Sequence, residues 1–338
     1  MATIFVTGGA GFIGSNFIRY WLKRYPDDTA ISYDLLTYAG CKESLDDVAE
    51  SAGSRYVFEQ GDIGDYDRAL SLFQTHKPDY IVNFAAESHN SRAVLHPEDF
   101  FQTNVVGTVQ LMKAARDADV PRFHHISTCE VYGDLDLDTD KVFTEASPYE
   151  PKTPYNASKA AADMAVRSFH LTFGLPATIS NCANNYGAYQ FPEKVIPRFA
   201  TLALQGKKLT LYKSSQNKRE WLHALDHCTA IDLILKKGIV GETYNVGSGL
   251  EIDVEGIADR ILDSLGMDQS YKTYVPDRPS HDRRYLLDSS KLRTELGWSP
   301  EVDFEEGFRQ TIHWYRDHSE WWKPLLKRID IDESNWKK

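Results

Sequence analysis

The sequence is poor in the residues that build disulfide frameworks, metal clusters and membrane spans. Only four cysteines occur in 338 residues, Cys41, Cys129, Cys182 and Cys228. None forms a CxxC pair, so no metal site and no disulfide framework is expected, and reduced thiols in a cytoplasmic protein are. Long apolar runs are missing too. Nothing approaches the ~18 consecutive apolar residues that a membrane helix needs. The apolar start Ile4-Phe5-Val6 is too short for a secretory signal and lacks a basic leader. Positive charge is in deficit, with a formal net charge of −11. That argues against partners such as nucleic acid or an anionic membrane surface. It leaves room for a phosphate ligand, because a few cations in a cleft act against an acidic background. Hydrophobic residues make up 42% and charged residues 26%, ordinary for a folded chain with ample core.

The first half alternates short apolar runs with longer helical patterns. Strands are expected at Thr3–Thr7, Ala30–Tyr33, Tyr56–Glu59, Tyr80–Asn83, Arg122–Ser127 and Ala177–Asn181. Helices are expected at Ile13–Arg24, Tyr66–His76, Val105–Ala118 and Tyr155–Phe173. Right-handed crossovers turn this order into an α/β fold with a doubly wound parallel sheet. After Asn184 the pattern becomes less regular, yet Glu242–Val246 reads as another strand of the same sheet. Val254–Leu265 and Phe304–Tyr315 carry helical periods, and Asp134–Asp140 reads as a solvated loop. The expected organisation is a main domain over 1–183 plus 221–250 and a smaller, discontinuous α/β substrate domain over 184–220 plus 251–326. Residues 327–338 form a tail.

The opening strand runs into Thr7-Gly8-Gly9-Ala10-Gly11-Phe12-Ile13-Gly14 and then a helix. Glycines there permit a tight turn and close approach of a pyrophosphate to free N–H groups at a helix start. Asp34 follows Gly14 by about 20 residues at the end of the next strand, where a carboxylate binds ribose hydroxyls and repels a 2′-phosphate. NAD is therefore the expected cofactor. Asp62 and Ile63 after the third strand, and Ala85 and Ala86 after the fourth, would border it. Tyr155-Asn156-Ala157-Ser158-Lys159 puts a phenol and an ammonium one turn apart on one helix face. The ammonium is expected to lower the phenol pKa, so that Tyr155 takes a proton from a sugar hydroxyl while hydride leaves its carbon. Ser127-Thr128 ends the preceding strand and offers a hydroxyl to the same oxygen.

These elements together resemble the extended short-chain dehydrogenase/reductases. A narrower resemblance is to the dTDP-glucose 4,6-dehydratases and reaches to Trp322. It is carried by Ala85-Ala86-Glu87-Ser88-His89, Glu130-Val131-Tyr132-Gly133, Asn184-Asn185-Tyr186-Gly187-Ala188-Tyr189-Gln190-Phe191-Pro192-Glu193-Lys194, Pro276-Asp277-Arg278-Pro279-Ser280-His281-Asp282-Arg283-Arg284-Tyr285 and Leu296-Gly297-Trp298. The resemblance implies a Rossmann fold, a nucleotide-diphosphate sugar substrate and an NAD-dependent hydro-lyase. In that family a tyrosine and NAD oxidise C4, a glutamate removes the C5 proton, an aspartic acid protonates the departing C6 hydroxyl, and hydride returns to C6. By position, Tyr155, Lys159, Thr128 and Glu130 take these roles. Ser88, Asn184, Glu193, Lys194, Tyr212, Arg219, His281 and Arg283 are the implied substrate residues. The family also implies a homodimer through the Tyr155 helix, whose Ala157, Ala160, Ala161, Ala162 and Ala165 permit close approach.

The chain departs from the family pattern at Cys129, where aspartate is usual, and at Ser91, where aspartate is common. It departs again at Lys213-Ser214-Ser215, where Gly-Asp-Gly is usual, and at Asn181 and Ala183, where arginine and serine are usual. Cys129 is either a proton donor or a space-filler. The alternatives to a 4,6-dehydratase are a 5,6-dehydratase, which leaves an exocyclic alkene, and a non-catalytic NAD- or nucleotide-sugar-binding protein. The Ser-Glu arrangement of UDP-glucuronate decarboxylases is a more distant parallel.

Overall fold

The computed structural model describes residues 1–277 and 282–329. Its strands in chain order are β1 (Thr3–Thr7), β2 (Thr29–Asp34), β3 (Tyr56–Gln60), β4 (Tyr80–Asn83), β5 (Phe123–Thr128), β6 (Ala177–Cys182), β7 (Asn184–Tyr186), β8 (Leu209–Tyr212), β9 (Lys218–His223), β10 (Thr243–Val246), β11 (Glu251–Asp253) and β12 (Lys272–Val275). Seven of them form one sheet in the order β10-β6-β5-β4-β1-β2-β3, and every neighbouring pair is parallel. The strand order reverses at β1 and β4. Loops leaving the two strands diverge there and open a crevice at their carboxyl ends.

Helices cover both faces of the sheet, so its central strands carry no polar alternation. β5 and β6 are buried from end to end. His124 survives in β5 because Thr178 and Ser180 on the neighbouring strand meet its two ring nitrogens at 2.9 and 3.0 Å. Burial pushes its pKa down to about 3. One face packs helix Phe12–Arg24 with helix Ala224–Lys237 through Phe17, Trp21, Ile231 and Leu235. The other packs helices Tyr66–His76, Thr108–Asp117 and Pro154–Phe173 through Phe73, Leu111, Met112 and Val166.

A second body lies beyond the carboxyl ends of these strands. It holds the β11-β9-β7 sheet and the β12-β8 pair. Phe199, Trp221, Ile261, Phe308 and Trp322 form its own core. Among the described residues no helix is long and apolar enough to cross a membrane.

Several features go beyond or differ from the sequence reading. Helices Val195–Leu204 and Ala224–Lys237 were not anticipated. The helix expected from Val105 begins instead as a π-helical turn, Gln102–Gly107. Asn104 within that turn binds the Glu87 backbone and Ser158 Oγ, and these inward bonds set the local register. The Asp134–Asp140 stretch is a loop with Asp136, Asp138 and Asp140 exposed, as expected, but its start is pinned. Asp134 is 3% exposed and pairs with Lys152 and Arg283, and Leu135 N donates to the Arg284 carbonyl at 3.0 Å.

Asp226 ties the helix Ala224–Lys237 to the segment leading into Phe304–Asp317. Its carboxylate accepts from Glu301 N at 2.9 Å and Val302 N at 3.2 Å, and it is 2% exposed. Asp226→Ala leaves both amides without that acceptor. A loss of about 1–3 kcal/mol is expected, read as a lower midpoint in urea unfolding.

Candidate active site

β1 delivers the chain into the glycine turn. Gly8 takes φ +64°, and a Cβ there would lie 2.7 Å from Ala85 N. A Cβ on Gly14 would lie 2.3 Å from the Gly8 carbonyl oxygen. Both positions therefore demand glycine, and the turn brings bare backbone to the crevice. Gly11 starts the first helix without a side-chain cap, so its first amides face the crevice.

Asp34 closes β2. Its two oxygens accept from Ala10 N at 3.0 Å and Leu36 N at 2.8 Å. Burial raises its pKa while the two amides oppose the rise. Gly8, Gly11, Phe12, Ile13, Gly14, Asp34, Asp62, Ile63, Ala85, Ala86, Tyr155 and Lys159 all border one cavity of about 320 Å³. This lining fits a dinucleotide carrying a free ribose diol: a glycine cradle for phosphates, a carboxylate for hydroxyls and small residues beneath a ring.

Tyr155 and Lys159 sit near the start of helix Pro154–Phe173. Thr153 caps that helix, accepting from Asn156 N at 3.2 Å, and Pro154 presets its first turn. Lys159 Nζ donates to the Ile126 carbonyl at 2.6 Å and lies 3.3 Å from His125 Nε2. Burial lowers its pKa to about 8, with the Asp163 carboxylate opposing. Tyr155 does not show the lowered pKa expected from its spacing. Burial first, then the charge of Glu130, hold the phenol well above its ordinary value, and a hydrogen bond with Thr128 opposes them.

Asp163 was missed by the sequence reading. It lies one further turn along the same helix face, fully buried, and accepts from Ser127 Oγ at 2.7 Å and Tyr149 OH at 2.9 Å. Burial pushes its carboxyl up to about 6. The repeat Tyr155, Lys159, Asp163 at four-residue steps was the available signal.

Glu130 is half-buried and borders the first cavity and a second one of about 210 Å³. Cys129, its neighbour, borders neither. It is 1% exposed in an apolar cluster with Val131, Tyr132, Cys182 and Leu222. Burial and the charge of Glu130 raise its thiol pKa well above normal.

Ser88, Asn184, Glu193, Lys194, Tyr212 and Arg219 all border the second cavity. Lys194 Nζ donates to the Ser88 carbonyl at 2.7 Å. Arg219 donates to the Asp282 carbonyl at 2.7 Å, and its guanidinium lies over the Tyr285 ring at 4.9 Å. Tyr38 OH donates to Glu193 Oε1 at 2.9 Å. Glu193 Oε2 and Asn184 Oδ1 are buried without a hydrogen-bond partner, as acceptors awaiting a polar ligand would be. Arg283 is not brought to this cavity. It is 47% exposed and spans Asp134 and Asp136, because those carboxylates offer the nearer counter-charge. His281 lies outside the described residues. Arg198, unremarked in the sequence, is a further cation on the lining.

A family model described as GDP-mannose 4,6 dehydratase matches residues 5–311. The dTDP-glucose 4,6-dehydratase of Mycobacterium tuberculosis strain H37Rv is 48% identical over 323 residues, covering 95% of this chain and 96% of that protein. The crystal structure of DesIV, a dTDP-glucose 4,6-dehydratase from Streptomyces venezuelae with NAD and TYD bound, superposes with a TM-score of 0.92. It is 46% identical and covers 96% of this chain and 99% of that one. The dTDP-glucose 4,6-dehydratase of Bacillus anthracis in complex with NAD gives a TM-score of 0.89 at 41% identity, covering 96% and 100%.

A reaction that relies on the Lys159 ammonium loses rate as pH rises through about 8, where the group gives up its charge. Asp163 holds that value up, so Asp163→Asn is expected to begin the decline at lower pH. Profiles of kcat/KM against pH for the two proteins check this.

Proposed function

The chain belongs to the extended short-chain dehydrogenase/reductase family, among the nucleotide-sugar 4,6-dehydratases, and from that premise we propose that it removes water from dTDP-glucose with bound NAD. The observation that carries this reading is the junction of the two cavities. Tyr155, Thr128 and Glu130 all border the dinucleotide cavity, and Glu130 also borders the one lined by Lys194 and Arg219. One sugar at that junction meets both an alcohol-oxidising group and a carboxylate base.

Gly8, Gly11 and the amides after them would hold the pyrophosphate, and Asp34 would bind the adenosine ribose. NAD held there would supply the hydride acceptor for C4 and the hydride donor for C6. In its phenolate form Tyr155 takes the proton of the C4 hydroxyl and releases it to solvent after turnover, with Thr128 orienting that oxygen and Lys159 supplying the positive charge that offsets burial and the Glu130 charge. The resulting C4 ketone acidifies C5–H, and Glu130 removes that proton. Because Cys129 turns into the apolar cluster, Glu130 also passes the proton to the departing C6 oxygen. The C5–H electron pair becomes the C5=C6 bond, the C6–O bond breaks, and water leaves. After hydride reaches C6, C5 takes a proton from solvent through Glu130. Lys194, Arg198 and Arg219 supply charge for the diphosphate.

We also propose a cytoplasmic homodimer. Phe101, Val106 and Met164 are 41%, 43% and 47% exposed, on packed helical elements that include the tyrosine helix. Four buried, unpaired cysteines suit a reducing compartment. Sedimentation as a monomer at micromolar concentration would remove the dimer.

Incubation with dTDP-glucose, followed by mass spectrometry and NMR, is expected to give loss of one water and a 4-keto-6-deoxy sugar. A 5,6-alkene assigns the alternative dehydratase, and no product from dTDP-glucose contradicts the substrate. Tyr155→Phe is expected to lower kcat at least ~100-fold with nucleotide binding retained.

A further inference from the structure

Glu130 is held by a side chain that the mechanism above does not use. Asn90 opens the short helix Asn90–Leu95 and donates from Nδ2 to Glu130 Oε2 at 2.9 Å. The other end of the same amide is also engaged, because Thr153 Oγ1 donates to Asn90 Oδ1 at 2.8 Å. Thr153 in turn accepts from Asn156 N as the cap of the tyrosine helix. Reversing the amide would set its oxygen against a carboxylate, which only accepts. The amide has one workable orientation, set by the Glu130 carboxylate, and Thr153, two residues before Tyr155, tethers its other end.

We propose that Asn90 is a positioning residue for Glu130, aiming its carboxylate at the sugar subsite and linking it to the helix that carries Tyr155. This rests on the dehydratase reading above. Glu130 stands among groups that its negative charge disturbs: Cys129 on its own turn, Cys182 at the end of β6, Tyr155 on the long helix, and Tyr285. Lys194, Arg198 and Arg219 are the cations on the same lining. Within this set the Asn90 amide is a neutral N–H donor. It stabilises the carboxylate without a proton of its own to give up. With Cys129 turned away, one carboxylate handles the proton twice, so its aim matters at both the C5 and the C6 oxygen steps.

The test separates the steps of one turnover. Asn90→Asp keeps an oxygen for Thr153 but replaces the donor to Glu130 with a second negative charge. Asn90→Leu removes both bonds at similar volume. Each variant is mixed with NAD and dTDP-glucose, and reduced nicotinamide is followed by absorbance while product is followed by NMR. Both variants are expected to lose dehydration about tenfold or more while still oxidising C4, so that bound NADH accumulates during turnover as it does not in the wild type. Asn90→Asp is expected to be at least as impaired as Asn90→Leu. Wild-type dehydration in either variant overturns the proposal, as does parallel loss of NADH formation and dehydration. Wild-type behaviour of Asn90→Asp with a defective Asn90→Leu would show only the Thr153 tether to matter, and overturns it too. A wild-type protein that forms no dehydrated product from dTDP-glucose overturns the dehydratase reading, and this inference with it.

Discussion

A buried ammonium survives only where acceptors meet it, and Lys159 meets the Ile126 carbonyl at 2.6 Å. That bond joins the tyrosine helix to β5 near the strand's carboxyl end. Asp163, one turn further along, reaches the same strand through Ser127 Oγ. Helix and strand are thereby fixed in register, so that Tyr155 arrives beside Thr128 and Glu130. Burial opposes both charges, driving Lys159 down to about 8 and Asp163 up to about 6. Each charge favours the other, and the pair counts as positioning machinery more than as a source of stability.

The reversal of strand order at β1 and β4 supplies the other requirement, a crevice where several strand ends converge. The glycine turn, Asp34, Ala85-Ala86 and Ser127-Thr128 all follow strands of the parallel sheet. The second body closes this crevice from beyond the strand ends, bringing Lys194 and Arg219 to the junction. Glu193 Oε2 and Asn184 Oδ1, buried and unpartnered, mark the lining as built for a polar occupant.

Much of this was legible in the sequence because it rests on local periodicity. The strand Thr3–Thr7 and the helix Tyr66–His76 fall at the expected residues, and the parallel sheet follows from their alternation. The dinucleotide lining was legible because glycines and a carboxylate sit at fixed distances along one βαβ unit. What escaped depends on tertiary packing. Helix Ala224–Lys237 buries Asp226, His227 and Asp232, so its polar residues masked the apolar face. Arg283 was assigned to the substrate by position, yet only the folded chain shows Asp134 and Asp136 beside it. Cys129 read equally well as acid or filler; its direction is set by the cluster of Val131, Tyr132 and Leu222, which no local pattern reveals. Asn90 gave no signal, since its partners lie 40 and 63 residues away.

In the proposed reaction one sugar is oxidised and dehydrated at the same junction, with hydride leaving C4 and returning to C6. The most direct measurement uses dTDP-glucose deuterated at C4 and locates the label in the product by NMR. Deuterium is expected on the C6 methyl of a 4-keto-6-deoxy sugar. Deuterium found back at C4 beside a 5,6-alkene, or released to solvent, would contradict it.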